Sequence, residues 1–109
     1  MAGEYCLIYS THPSLEQARA TARHLLDAGL VACCNILPPI ESHYCWQGAY
    51  EQTSEIAMVC KTAARHAQQA SQAIAAMHPY DCPAVAILAL QDGYPPFLQW
   101  IDQQTSPIA

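Results

Sequence analysis

The sequence predicts an α+β domain with the β-α-β-β-α-β order of a ferredoxin-like sandwich, extended by a long β-hairpin and an extra C-terminal helix. Three observations lead to this fold class. Short apolar segments alternate with two helical patterns along the chain. A long extended stretch carries a turn signal, Gln47-Gly48, inside it. No linker, repeat or low-complexity tract divides residues 1–109, so we expect a single domain.

Short local signals define the first three elements. Residues 4–10 are rich enough in aromatic and branched side chains to form a strand, which a polar cluster then ends. A helix begins at Ser14, whose spacing from Gln17 is that of a capping box, and Gly29 ends it. Residues 30–37 are predicted to form a strand that is buried on both faces.

A hairpin follows this strand. Pro38-Pro39 cannot donate ladder hydrogen bonds, so we expect the strand to bend there before it resumes at Ile40–Trp46. Gln47-Gly48 forms the hairpin tip, and the return arm, residues 49–62, contains no proline or glycine. An arm of this length spans roughly 46 Å, whereas a sphere with the expected radius of gyration is about 34 Å across. The hairpin is therefore expected to overhang its own domain.

The hairpin tip carries three large side chains, Tyr44, Trp46 and Tyr50, which would face water on an isolated monomer. Exposed apolar groups of this kind usually mark an interface. We therefore expect a homo-oligomer in which each subunit lends its hairpin to a neighbour. The alternative is a bulge near Thr53-Ser54 that folds the arm back onto its own domain.

The second half of the chain completes the pattern. Residues 64–77 are predicted to form an alanine-rich helix, and residues 84–90 another buried strand. The stretch Gln91–Pro95 turns the chain. Apolar side chains between Phe97 and Ile101 then predict a short terminal helix.

Charge and composition exclude several classes of function. Four Lys and Arg residues stand against nine Asp and Glu residues, a net charge of -5 that repels phosphate backbones, so we expect no nucleic-acid partner. No apolar run approaches the ~20 residues that a membrane span needs, and no secretory signal is visible before the first strand. We expect no membrane partner and a cytoplasmic protein whose six cysteines are thiols rather than disulfides.

Residues 77–84, with the sequence MHPYDCPA, hold the side chains best suited to chemistry. Met77, His78 and Cys82 are soft or borderline donors of the kind that copper and zinc prefer. The alternative is a stiff turn, in which His78 ends the second helix and Asp81 bonds turn amides. Covalent catalysis is disfavoured because no glycine-rich oxyanion cradle follows and the next proline lacks a backbone donor, so we expect no enzyme.

Two further polar residues, Ser10 and His12, close the first strand. In a ferredoxin-like sheet the first strand is central, and we expect the junction between the second helix and the last strand to lie at the opposite end from its C-terminus. A metal site that unites the two loops inside one subunit is therefore not expected, whereas a site across subunits stays open. A second hypothesis places an anionic ligand near Lys61, the only lysine, in an intersubunit cleft.

An ordered set of short motifs resembles the CutA divalent-cation tolerance family. The motifs are LVACCNIL at 30–37, Tyr44-x-Trp46-x-Gly48, Ser54-Glu55 leading to Lys61-Thr62, His78-Pro79-Tyr80 with Pro83, and Tyr94 through Leu98-x-Trp100. The resemblance runs from about Tyr5 to Thr105. It implies a ferredoxin-like homotrimer interlocked by long strands, a cytosolic setting, and a link to tolerance of copper and other divalent metal ions.

The resemblance also bears on the site. Where the family is linked to copper, a cysteine at the end of the first strand and a histidine pair before Pro-Tyr are implicated; here Ser10 and Met77 take the cysteine and first histidine positions, which leaves His78. The implied function is a non-enzymatic homotrimer of metal homeostasis that binds a copper ion weakly through His78, with Cys82 or Met77 as further donors. Because the family also resembles the PII signalling trimers in shape, the alternative is a regulatory or scaffold trimer with a small anionic ligand between subunits.

Overall fold

The computed structural model describes residues 4–107, which contain five strands and three α-helices. In chain order the elements are β1 (Tyr5–His12), α1 (Leu15–Asp27), β2 (Cys33–Ile36), β3 (Ile40–Trp46), β4 (Ala49–Ala63), α2 (Ala67–Met77), β5 (Val85–Leu90) and α3 (Pro95–Gln104). A 3₁₀ turn, Ala64–His66, leads into α2. The predicted α+β class and the extra C-terminal helix are confirmed.

The strands form an antiparallel sheet in the order β2-β4-β1-β5. β1 is central, as predicted, and pairs with β4 from Tyr5 opposite Ala63 to His12 opposite Ile56. Residues 49–55 of β4 continue past the end of β1 and pair with β3 alone. The β3–β4 hairpin therefore projects from the sheet, and the molecule is 44 Å long but only 26 and 24 Å across.

The hairpin has the predicted long arm. Its pairing runs without interruption between Ile40–Trp46 and residues 49–55, so no bulge folds the arm back. Gln47 and Gly48 have φ values of 51° and 80°, the two positive angles that a two-residue type I′ turn requires. The large side chains of the tip are exposed in the single chain, and Tyr50 is 66% exposed.

The hydrophobic core lies between one face of the sheet and helices α1 and α2. Alternate residues of a strand point to the same face, so Ile8 of β1 and Met58 of β4 lie on the helix side. Both are fully buried, together with Leu25 of α1 and Ile74 of α2. This packing holds the helices firmly against the end of β1 where the polar site is built.

The opposite face of the sheet is only partly covered. α3 lies against β4 there, with Lys61 Nζ 5.9 Å from the centroid of the Phe97 ring. Tyr9 and Leu88 follow the alternation onto this face, and both are exposed. The single chain thus leaves an apolar area of its sheet open.

Asp102 fixes α3 to the body of the domain. Its Oδ2 accepts a hydrogen bond from the Tyr5 hydroxyl at 2.5 Å, and its Oδ1 accepts one from Arg65 at 2.6 Å. These two hydrogen bonds, that of Tyr5 first, lower the pKa of the Asp102 carboxyl. The carboxylate that holds the helix therefore stays ionised at pH values below those at which an aspartate usually becomes protonated.

Two strands differ from their predictions. β2 is shorter than the predicted 30–37 and lies at one edge of the sheet, where its side chains are half-buried or exposed. β5 lies at the other edge, and its Ile87 and Leu88 are 39% and 47% exposed. The prediction of a buried last strand is wrong for the single chain, because apolar composition does not distinguish an edge strand from a central one.

Candidate functional site

The α2–β5 loop, residues 78–84, meets the end of β1. β5 runs antiparallel to β1 with Val85 opposite Ser10, so the residues before β5 lie beside those that close β1. The Thr11 N–H donates to the carbonyl oxygen of Ala84 at 3.4 Å. The prediction that the two loops lie at opposite ends of the sheet is wrong, because the start of an antiparallel strand adjoins the end of its partner.

His78 is the first residue after α2, and it joins the loop to β1. Its Nε2 lies 2.7 Å from the carbonyl oxygen of Thr11, and its Nδ1 accepts from the Tyr80 N–H at 3.2 Å. Because a carbonyl only accepts and an amide N–H only donates, the ring proton sits on Nε2. His78 is buried, and its ring centroid is 5.2 Å from that of His12.

His12 is fully buried in a chain of polar side chains. Gln17 Nε2 donates to the Thr21 hydroxyl and to the Met77 carbonyl, both at 3.1 Å, which leaves Gln17 Oε1 to accept from His12 Nδ1 at 2.5 Å. With its proton on Nδ1, His12 accepts at Nε2 from the Ser10 hydroxyl at 2.8 Å. One amide side chain therefore joins β1, α1 and the end of α2.

Sequence reasoning missed this role of Gln17. The capping-box spacing correctly predicts that the Gln17 N–H donates to Ser14 Oγ, at 3.1 Å. In the reciprocal half of a capping box the Gln17 side chain reaches back to Ser14, but here it turns to His12. One signal was present in the sequence: Gln17 and Thr21 are polar residues four apart, beside the apolar stripe of α1.

The electrostatics of His12 favour a neutral ring. Burial lowers its pKa, the Gln17 hydrogen bond and the Glu55 carboxylate raise it, and the neighbouring His78 lowers it, with a downward net direction. Ser10, His12 and Gln17 form a hydrogen-bonded chain of a hydroxyl, an imidazole and an amide. Acyl-transfer enzymes use a similar chain, in which the third group orients the imidazole. The Ser10 hydroxyl is fully buried, however, so this chain holds the loops together and presents no nucleophile to solvent.

The predicted metal donors are placed differently from one another. His78 is buried, whereas Met77 and Cys82 are exposed. Across residues 4–107, no group of three or more His, Cys, Asp or Glu side chains is arranged to hold a metal ion. The structure brings His78 beside His12 and does not assemble a full ligand set within one chain.

A cavity of about 470 Å³, which we call the hairpin cavity, opens between the α2–β5 loop and one face of the hairpin. Its aromatic walls and its carboxylates come from Tyr44, Trp46, Tyr80, Glu51, Glu55 and Asp81. Cys82 also lines it. Sequence reasoning assigned the tip aromatics to an interface only, because nothing local links them to a loop some thirty residues later.

Comparison with known proteins decides the family. Residues 6–104 match the family described as CutA1 divalent ion tolerance protein. The chain belongs to this family. It is 40% identical over 96 residues to the divalent-cation tolerance protein CutA of Archaeoglobus fulgidus. The matched region covers 88% of this chain and 93% of that protein. The mouse protein CutA is 32% identical over 98% of this chain, which spans 60% of the mouse protein.

Solved CutA structures share the fold. CutA from Xylella fastidiosa superposes with a TM-score of 0.91 at 37% identity, covering 94% of this chain and 99% of that one. The Archaeoglobus fulgidus structure, described as a periplasmic divalent cation tolerance protein, gives 0.89 at 38% identity, covering 92% and 97%. The resemblance inferred from short motifs is confirmed, and with it the link of this CutA family to divalent-cation tolerance. Within residues 4–107, no helix is long and apolar enough to cross a bilayer.

Proposed function

We propose that this CutA family member is a cytosolic, non-enzymatic homotrimer that contributes to copper tolerance by binding the ion weakly at His78. The observation that carries the proposal is the 2.7 Å contact of His78 Nε2 with the Thr11 carbonyl. A histidine that binds a metal usually donates its other ring N–H to a carbonyl or carboxylate, which fixes its tautomer and orientation. His78 has this arrangement, with the Nδ1 lone pair directed toward the Tyr80 N–H.

Opening of the loop frees Nδ1 for a ligand. Its partner among residues 4–107 is the Tyr80 N–H at 3.2 Å, the long end of the hydrogen-bond range. Cys82 lies two residues beyond Tyr80 and Met77 one residue before His78, so either side chain can add sulfur, which copper favours. Because one hydrogen bond must break and no full ligand set is preformed, we expect weak binding.

Two uncovered apolar surfaces support the trimer. One is the face of the hairpin tip that points away from the hairpin cavity, where Tyr50 is exposed; the other is the sheet face beyond α3, where Tyr9 and Leu88 are exposed. Apolar areas of this kind mark interfaces. A projecting hairpin of one chain covers the sheet face of the next in the proposed assembly.

The order β2-β4-β1-β5, with β2 and β3 taken as one interrupted strand, supports the ferredoxin-like topology.

The cysteine content fits a cytosolic location, because six cysteines without a C-x-x-C pair are expected to remain thiols in a reducing compartment. Cys34 and Cys60 lie on neighbouring strands with their sulfur atoms 3.4 Å apart, so these two are the pair that an oxidising compartment would favour as a disulfide.

An anaerobic titration of fully reduced protein with Cu(I), in competition with a chromogenic chelator, tests the copper site. His78→Ala is expected to weaken the affinity by about tenfold or more, and Cys82→Ala or Met77→Ala by less. The matched control is His24→Ala, since His24 is exposed on α1 and is expected to leave binding unchanged. Equal affinities of the His78 variant and the original chain would remove His78 from the site.

The alternative, an anionic ligand near Lys61, is not favoured. The Lys61 ammonium lies over the ring of Phe97, which already engages its charge. The hairpin cavity carries the carboxylates of Glu51, Glu55 and Asp81, and these repel an anion.

A further inference from the structure

Glu55 is a largely buried residue whose carboxylate oxygens keep access to the hairpin cavity. It is only 7% exposed, and it forms no hydrogen bond or ion pair with any of residues 4–107. Buried charges are normally paired, because taking an ion out of water without a counter-charge is strongly unfavourable. Glu55 lines the hairpin cavity, so the cavity is the side from which a cation reaches it.

The charges around the hairpin cavity have one sign. Glu51 lies four residues before Glu55 and therefore on the same face of β4, and Asp81 lines the cavity from the loop. No lysine or arginine is among those of residues 4–107 that line the cavity, so no side chain there that is always positive offsets the carboxylates. The cavity therefore favours a cation.

The other walls of the cavity are aromatic. Tyr44, Trp46 and Tyr80 line it. The faces of aromatic rings attract ammonium groups within about 6 Å of the ring centroid, and tryptophan does so most strongly. Aromatic rings are not ligands for metal ions, and residues 4–107 contain no cluster of three metal donors. A volume of about 470 Å³ is that of a small-molecule site and exceeds the need of a single ion.

We propose that the hairpin cavity binds a linear polyammonium ion, a protonated diamine or triamine. The carboxylates of Glu51, Glu55 and Asp81 pair with its ammonium groups, and its methylene segments lie along the rings of Tyr44 and Trp46. Spaced positive charges on an apolar chain match spaced carboxylates between aromatic walls. The proposal concerns the cavity with its loop wall closed, as in the chain without copper, because Tyr80 and Cys82 belong to the loop that opens in the copper proposal.

Isothermal titration of the full chain with spermidine tests the proposal. Saturable binding of one spermidine per chain is expected, and it weakens as sodium chloride is raised from about 0.05 to 0.3 M. Glycerol, an uncharged triol, is expected to show no binding. Glu55→Gln keeps the shape and removes the charge, so it should lower the affinity about tenfold or more. The matched control is Glu16→Gln, the same change at an exposed site on α1, which should leave the affinity unaltered.

The aromatic wall is tested in parallel. Trp46→Ala is expected to weaken spermidine binding about threefold or more, whereas Trp100→Ala, on α3 and outside the cavity lining, should not. Circular dichroism checks that each variant is folded, and Glu51→Gln replaces Glu55→Gln if the latter does not fold. Absence of saturable binding to the original chain, or equal losses in the Glu55 and Glu16 variants, overturns the proposal.

Discussion

Nε2 of His78 lies 2.7 Å from the carbonyl oxygen of Thr11 and ties the loop after α2 to the end of β1. The contact joins residues that are 67 positions apart in the sequence. It also decides the chemistry of the ring, because a proton on Nε2 makes Nδ1 the acceptor. One hydrogen bond therefore holds the loop against β1 and, in the copper proposal, orients the imidazole that binds the ion.

Replacing His78 by alanine is expected to lower the free energy of unfolding by about 1–3 kcal/mol, since the Thr11 carbonyl and the Tyr80 N–H lose their partner in a largely buried place. Urea denaturation at one fixed protein concentration measures the change. The exposed control His24→Ala should stay within about 0.5 kcal/mol of the original chain. Equal effects of the two variants would show that the hydrogen bond between His78 and Thr11 contributes no stability.

His12 predicts a dependence of stability on pH. Its ordinary pKa is 6.5, and burial lowers this pKa in the folded chain. Below about pH 6.5 the unfolded chain therefore binds a proton that the folded chain does not, and the free energy of unfolding falls as the pH drops. The slope from this group shrinks between about pH 7 and 8 and is negligible above about pH 8.

Urea denaturation at a series of pH values checks this prediction. His12→Asn removes the titrating group, so its stability, although lower throughout, should decline less between about pH 7 and 5 than that of the original chain. The comparison is one of slopes, because the variant also loses the hydrogen bonds to Ser10 and Gln17. Parallel curves would mean that His12 titrates alike in both states.

Gly48 is expected to be needed for its backbone angle alone. A Cβ added there meets nothing within 4 Å, whereas the φ of 80° is unfavourable for alanine and for most other residues with a side chain. Gly48→Ala should therefore cost about 1–2 kcal/mol, and Gln47→Asn should be neutral or slightly stabilising because asparagine tolerates positive φ. Thermal denaturation of both variants measures this. A Gly48→Ala chain as stable as the original would contradict the type I′ turn.

Asp102 is expected to stabilise α3 in its ionised form. Its pKa is lowered by the hydrogen bonds from Tyr5 and Arg65, so its contribution is present above the ordinary value of 3.8 and is lost as the pH falls through the lower folded value. Asp102→Asn should thus be less stable than the original chain at pH 7, and the difference should shrink in acid. Asp27→Asn, which breaks the exposed pair with Arg23, should have little effect at either pH.

The hairpin and the start of α1 could be predicted because their signals are local. Gly48 supplies a positive φ beside an arm that lacks proline and glycine, and Ser14 caps the helix three residues before Gln17. Neither depends on what the rest of the chain does. The contacts of the Gln17 side chain could not be predicted in the same way, since it hydrogen-bonds to a buried histidine on another element.

The placement of the site could not be predicted because it depends on long-range pairing. Whether His78 lies near His12 follows from the direction of β5 against β1, which no short segment encodes. The exposure of Leu88 likewise depends on β5 being an edge strand. Glu55 offered the one local hint, a carboxylate at the start of the apolar stretch of β4, but its cavity is closed by a loop from elsewhere in the chain.

The trimer is tested most directly by light scattering on the size-exclusion peak of the purified chain at about 10 μM. We predict a mass three times the 11.9 kDa of one chain. A stable species of 11.9 kDa under these conditions would contradict the assembly and would leave the projecting hairpin and the open sheet face without the neighbour proposed to cover them.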